Sequence, residues 1–181
     1  NYEENKEQIE DILFEEKNRM SKKLRVAIIG CGGIANGKHL PSLNKLEQVE
    51  MVAFCDIEIK KAKEAAIEYG TPEAVVYKNY KQLLEDESID VVHVLTPNIS
   101  HAEISIASME AGKHVMCEKP MAKTSEEAKL MVETAERTGK KLTIGYNNRF
   151  RPDSQYLHNV CKQGDLGEVY YARAHAIRRR A

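Results

Sequence analysis

Leu24-Arg-Val-Ala-Ile-Ile-Gly-Cys-Gly-Gly-Ile-Ala35 is the stretch that decides the fold. The apolar, β-branched run Val26–Ile29 predicts a strand. A G-x-G-x-x-A pattern follows at once, carried by Gly30, Gly32 and Ala35. The first glycine permits a tight strand-to-helix turn, the second lets a backbone approach a pyrophosphate, and the small third residue packs helix against strand. Phosphates then sit on the free N–H groups of the helix N-terminus. Glycine-rich turns are common, so the surroundings must support the reading. They do: a second apolar run, Val49–Cys55, ends on Asp56. Asp56 lies about 20 residues past Ala35, the distance expected of the acid that bonds ribose hydroxyls. The competing reading is a glycine-rich turn in some other α/β protein.

Outward from this turn, strand and helix alternate. Strands are predicted at 24–29, 50–55, 74–77, 90–95, 113–117 and 141–145. Helices are predicted at 33–46, 58–69, 79–86, 99–111 and 124–138. Gly70, Gly112 and Gly139 read as helix C-terminal caps, and Thr124 as an N-cap with acids in the first turn. Strands 90–95 and 113–117 are nearly all apolar, as in parallel strands buried on both faces. Such an alternation implies an α/β fold with a doubly wound parallel sheet over residues 22–146. After Tyr146 the pattern changes. Pro152 opens a helix of about 152–163, and Glu168–Arg180 alternates well enough for a strand. One helix and one strand bury no core of their own, so residues 147–181 read as the start of a second domain. Residues 1–21 are an acidic extension, with Ile9 and Leu13 at helical spacing. It reads as an appended segment before Met20, or as a docking helix.

Composition narrows the function. With 42% hydrophobic and 30% charged residues in a chain of 181, a soluble globular protein is expected. A net charge of −1 gives no basic patch for nucleic acid. No apolar run reaches the ~18 residues of a membrane span. The acidic N-terminus has no signal-peptide core, so the expected compartment is the cytoplasm. Cys31, Cys55, Cys117 and Cys161 make no C-x-x-C pair and read as free thiols, and neither cysteines nor histidines show metal-ligand spacing.

Three strand ends carry polar groups. Strand 90–95 ends in Thr96-Pro97-Asn98 with His101 following; Thr and Asn suit ribose hydroxyls, but Asn98 or Ser100 could equally be a helix N-cap. Strand 113–117 ends in Glu118-Lys119-Pro120. Lys119 could stabilise an alkoxide forming on a substrate, or the pair could be a surface salt bridge. The next strand ends in Gly145-Tyr146-Asn147, with Arg149 beyond. Three polar ends on one sheet edge fit a single crevice. Among the histidines, His93 reads as packed core and His114 as structural, while His39 lies either near the phosphates or on the surface.

Taken together, Ala27-Ile-Ile-Gly-Cys-Gly-Gly-Ile-Ala35, Leu95-Thr-Pro-Asn98 with His101, Gly112-Lys-His-Val-Met-Cys-Glu-Lys-Pro120 and Gly145-Tyr-Asn-Asn-Arg-Phe150 resemble the Gfo/Idh/MocA oxidoreductases over about residues 22–181. The Glu-Lys-Pro motif is the more specific part. The resemblance implies a Rossmann domain followed by an α/β domain with an open antiparallel sheet. It also implies hydride transfer between NAD, with NADP admitted, and a hydroxyl or carbonyl of a sugar-like small molecule. Gly30, Gly32, Gly33, Ile34 and Ala35 would hold the pyrophosphate, and Asp56 the adenosine ribose. Thr96, Pro97, Asn98 and His101 would line the cleft. Glu118 and Lys119 would approach the nicotinamide ribose and substrate, with Lys119 the one catalytic candidate, and Asn147 and Arg149 would flank that end. The family's substrate-binding acid and histidine would come from the second domain. The polypeptide is therefore expected to bind cofactor without turnover, and the complete protein to form a homo-oligomer through that domain. A non-catalytic dinucleotide-binding or regulatory module is the alternative.

Overall fold

The computed structural model describes residues 22–175 and 177. The extension before residue 22 and the Arg178–Arg180 run lie outside them. Six strands form one wholly parallel sheet: β1 (Leu24–Ile29), β2 (Val49–Cys55), β3 (Val75–Tyr77), β4 (Val91–Val94), β5 (His114–Cys117) and β6 (Leu142–Ile144). Their order is β3-β2-β1-β4-β5-β6. Each parallel step needs a crossover, and right-handed crossovers run in opposite directions on either side of β1 put helices on both faces. The linking helices are α1 (Ala35–His39 wound as a π-helix, continuing as Leu40–Leu43), α2 (Ile59–Tyr69), α3 (Tyr80–Leu84), α4 (His101–Glu110) and α5 (Ser125–Thr138). Two buried clusters fill the faces. One gathers Ile29, Val92, Val94, Met109 and Met131; the other Val26, Ile28, Leu40, Phe54 and Ala62. Alternate residues of β1 thus enter opposite clusters, which is why that strand reads as a continuous apolar run.

The helix ends follow local chemistry in most places. Thr124 Oγ1 accepts the Glu127 N–H at 3.2 Å, and Glu127 returns a carboxylate oxygen to the Lys123 N–H at 3.1 Å. The α5 helix closes on Gly139 in the left-handed region. Gly70 caps its helix as expected, its N–H bonding Ala66 O, but not in the left-handed region. Its backbone is extended, and glycine is required because a Cβ would lie 2.6 Å from Ala66 O and 2.7 Å from Ala74 Cβ. Neither Asn98 nor Ser100 caps α4 with its side chain; they form a short 3-10 turn ahead of it.

Tyr146 begins a second unit, with a 3-10 turn at Asn147–Phe150 and helix α6 (Pro152–Gln163). The strand expected from residue 168 does not form over residues 168–175. Alternation marks a strand face, but a strand needs a hydrogen-bonding neighbour, and the described part of this unit supplies none. Among the described residues, no helix is long and apolar enough to cross a membrane.

The thiols bear on redox behaviour. Cys31, Cys55 and Cys117 are buried, and Cys161 is exposed. Burial, reinforced by the Asp56 charge, pushes Cys31 up to about 12 and Cys55 up to about 11; burial also takes Cys117 to about 11. Thiolate is the reactive form. Ellman's reagent at pH 8 is therefore expected to label only Cys161 in the native chain, and all four thiols after denaturation. Rapid native labelling of Cys31 would show the glycine turn to be open.

Candidate functional site

The glycine turn is stitched into the sheet on both sides. Gly30 N–H donates to Cys55 O at 2.8 Å, and Leu95 N–H donates to Ile29 O at 2.8 Å. The turn therefore sits where β1 lies between β2 and β4, the point at which strand order reverses and open α/β sheets bind ligands. Gly30 has φ +95°. A Cβ there would lie 2.7 Å from Leu95 C and 2.8 Å from Thr96 N. Gly32 and Gly33 are different: a Cβ on either meets nothing within 4 Å. Ile34 is exposed and Ala35 fully buried in the β1–α1 packing. Thus Gly30 and Ala35 build the turn, while Gly32 and Gly33 leave room above it. The first-turn N–H groups of a helix lack intrahelical acceptors and suit an anion.

A cleft of about 920 Å³ opens along this edge. Gly30, Gly32, Asp56, Thr96 and Pro97 line it, as does the apolar wall of Ile29, Leu95 and Ile104. Asp56 has both carboxylate oxygens engaged. Oδ2 accepts the Cys31 N–H at 2.8 Å, and Oδ1 accepts the Glu58 N–H at 2.8 Å. The acid thus holds the second residue of the glycine turn while facing the cleft. Asn36 supports the same loop, its Nδ2 donating to Cys31 O at 2.8 Å. Lys61, Lys78, Asn79 and Gln82 also line this side. Lys78 and Asn79 sit on the β3–α3 connection and Gln82 within α3, where no motif in the sequence marks them.

Polar groups after β4 and β5 divide into walls and braces. Thr96 Oγ1 accepts the Ser100 hydroxyl at 2.9 Å. Asn98 is exposed and lies apart from the cleft's lining. His101, expected to line the cleft, is fully buried. Its Nδ1 lies 2.7 Å from Pro120 O and its Nε2 2.9 Å from Thr96 O. The imidazole therefore clamps the β4 loop to the β5 loop and lies outside the cleft's lining. Glu118 is also buried and forms no salt bridge with Lys119. Its Oε1 lies 2.8 Å from His39 Nε2, and its Oε2 accepts the Lys119 N–H at 2.9 Å. Lys119 itself is exposed. His39, left open between phosphate site and surface, is thus a partner of the Glu-Lys-Pro loop. His114 is structural, its Nδ1 accepting the Lys141 N–H at 3.0 Å. His93 packs beside His39, and burial pushes its imidazole down to about 4. Asn147 and Arg149 belong to the second unit, where both are exposed.

A parallel sheet of this order, with a glycine turn at its switch point and an acid on the adjoining strand, defines a dinucleotide-binding Rossmann domain. Residues 24–146 match the family model described as the oxidoreductase family with NAD-binding Rossmann fold, Gfo/Idh/MocA, and the chain belongs to that family. It is 41% identical over 159 residues to D-glucoside 3-dehydrogenase of Escherichia coli, covering 88% of this chain and 45% of that protein. A crystal structure of myo-inositol 2-dehydrogenase from Lactobacillus plantarum superposes with a TM-score of 0.72 at 31% identity, covering 82% of this chain and 43% of that one. The WlbA dehydrogenase from Bordetella pertussis, in complex with NADH and UDP-GlcNAcA, gives a TM-score of 0.77 at 27% identity, covering 83% and 43%. The chain thus spans under half the length of these relatives.

Proposed function

We propose that this chain is the cofactor-binding part of an NAD(P)-dependent oxidoreductase that interconverts a hydroxyl and a carbonyl on a sugar, cyclitol or related small molecule. The observation that carries this reading is the open space above Gly32, in a cleft that Asp56 lines beside the same turn. The nicotinamide dinucleotide supplies the hydride acceptor or donor. The chain's own residues do the rest of the binding. Backbone N–H groups of the Gly32–Ile34 turn receive the pyrophosphate, and Asp56 accepts from the adenosine ribose. By the two-halved symmetry of such folds, the second mononucleotide half lies over β4–β6, where Lys119 stands exposed at the end of β5. Its ammonium can stabilise charge developing on the substrate oxygen. The sugar-like substrate class is supported by the D-glucoside and inositol dehydrogenases among the relatives.

Asp56 also bears on the choice between cofactors. A 2′-phosphate would meet its carboxylate, and the next residue, Ile57, is an exposed apolar side chain with no cation to offer. Lys61 lines the cleft but is paired with Glu58. Binding of NADH is therefore expected to be about tenfold or more tighter than that of NADPH, the scale of one close like-charge contact. Asp56→Ser is expected to narrow that gap. It should weaken both cofactors as well, because the Cys31 N–H loses its acceptor. Calorimetric titration of the chain with ADP-ribose, NADH and NADPH tests both statements. No saturable binding of any of the three would overturn the dinucleotide reading. NADPH binding at least as tight as NADH would overturn only the preference.

A further inference from the structure

Glu118 presents an unusual local problem. Its side chain is about 10% exposed, and a carboxylate so placed is costly unless its oxygens are satisfied. Both oxygens are engaged, one by His39 Nε2 and the other by the Lys119 N–H. The surroundings also confine it. Glu118 N–H donates to Val94 O at 3.0 Å, fixing its backbone to β4. A Cβ on Gly145, at the end of β6, would come within 3.3 Å of Glu118 Oε1. The carboxylate is therefore held against the sheet edge rather than presented to a ligand.

Among the described residues, His39 is the side chain that reaches this carboxylate from the other half of the site. It closes the π-wound segment Ala35–His39 of the helix that begins at the glycine turn. A π-turn widens the helix by one residue per hydrogen-bonded loop and so changes the direction in which its last side chains project. The ring is 14% exposed and packs edge-on against His93, with centroids 6.0 Å apart. A ring buried on one side by another ring, with a carboxylate at its Nε2, has little freedom to swing. The continuous path is pyrophosphate helix, His39, Glu118, Lys119 backbone.

We propose that His39 is a positioning residue which, through Glu118, fixes the Lys119 loop and so shapes the nicotinamide side of the site. This rests on the dinucleotide reading above. It predicts a selective defect. His39 stands on the pyrophosphate helix but its partner lies under the other half of the site. Its loss is therefore felt by the nicotinamide moiety and not by the ADP-ribose moiety.

The test compares two probes on the 181-residue chain, ADP-ribose and NADH, by calorimetry. Nicotinamide fluorescence of bound NADH gives a further reading. His39→Ala is expected to weaken NADH about tenfold, as for the loss of one charge-assisted hydrogen bond, and to leave ADP-ribose within twofold. It is also expected to shift the bound NADH emission. His39→Gln, which keeps a nitrogen donor at the position of Nε2, is expected to recover most of the NADH affinity. Should His39→Ala fail to fold, His39→Gln and Glu118→Gln against the parent carry the same comparison, with Glu118→Gln expected to weaken NADH selectively. Equal weakening of both probes, no weakening of either, or no recovery by His39→Gln would each overturn the positioning role. A parent chain that binds neither probe removes the dinucleotide reading, and the positioning role with it.

Discussion

Gly30→Val is expected to lower the melting temperature of the chain by about 6–20 °C, corresponding to roughly 3–5 kcal/mol. Two effects add. Gly30 has φ +95°, a conformation that a β-branched residue avoids. Its Cβ would also lie 2.7 Å from Leu95 C and 2.8 Å from Leu95 O. Those atoms are backbone, and they belong to the strand-end segment whose Leu95 N–H already bonds Ile29 O. No side chain can swing aside to relieve the contact, so β1 and β4 must separate at their C-terminal ends. These ends form the floor of the cleft, so binding is lost together with stability. Gly30→Ala meets the same Cβ contact and the same φ, and is expected to recover only a small part of the loss. Thermal unfolding followed by circular dichroism measures this directly. A valine variant melting within a few degrees of the parent would mean that the turn is not built as described.

The six strands were legible because each is a short apolar run, followed within three residues by Gly, Pro or Asp in five cases and by Lys78-Asn79 after β3, and each observed strand falls within a residue or two of its expected bounds. Their doubly wound arrangement was legible too, since strands alternating with helices of this length leave few other solutions. What local pattern did not reveal is what depends on partners distant in sequence. His101 looked like a cleft residue because it is polar and follows a strand end. Its role is decided by Pro120 O, which lies 19 residues away. The His39–Glu118 pair spans 79 residues, and neither residue carries a mark that points to the other. Gly70 shows a different limit. A glycine after a helix signals either a left-handed turn or a close approach, and only the position of Ala74 shows that it is the second. The alternation after residue 168 was real as a pattern, yet a strand exists only once another strand pairs with it. The site itself was half legible. Gly30, Gly32, Asp56, Thr96 and Pro97 do meet at one cleft, because a motif ties them to strand ends. Glu118 and His101 lie behind it as braces.

Gly32→Val separates folding from binding at a position two residues from Gly30. The chain is expected to fold with a melting temperature within about 3 °C of the parent, because a Cβ at Gly32 projects into open space with no other part of the protein within 4 Å and surface changes of this kind usually cost within ±0.5 kcal/mol. The φ of Gly32 lies outside the left-handed region, so valine brings no backbone strain there. That same space is where a pyrophosphate must approach the helix N-terminus. The two methyl groups and the Cβ that carries them, placed there, keep the phosphates from the first-turn N–H groups. Several charge-assisted hydrogen bonds are then lost at once, each contributing roughly 1.5–3 kcal/mol. Affinity for NADH and for ADP-ribose is therefore expected to fall together by about 100-fold or more. This joint loss is the opposite of the selective nicotinamide defect expected at His39, so the two variants check each other with the same pair of probes. Calorimetry on a Gly32→Val chain shown to be folded decides the point. Undiminished binding of ADP-ribose would place the pyrophosphate elsewhere than on this turn. A Gly32→Val chain that melts far below the parent would show that the open space above the helix is filled by the protein itself.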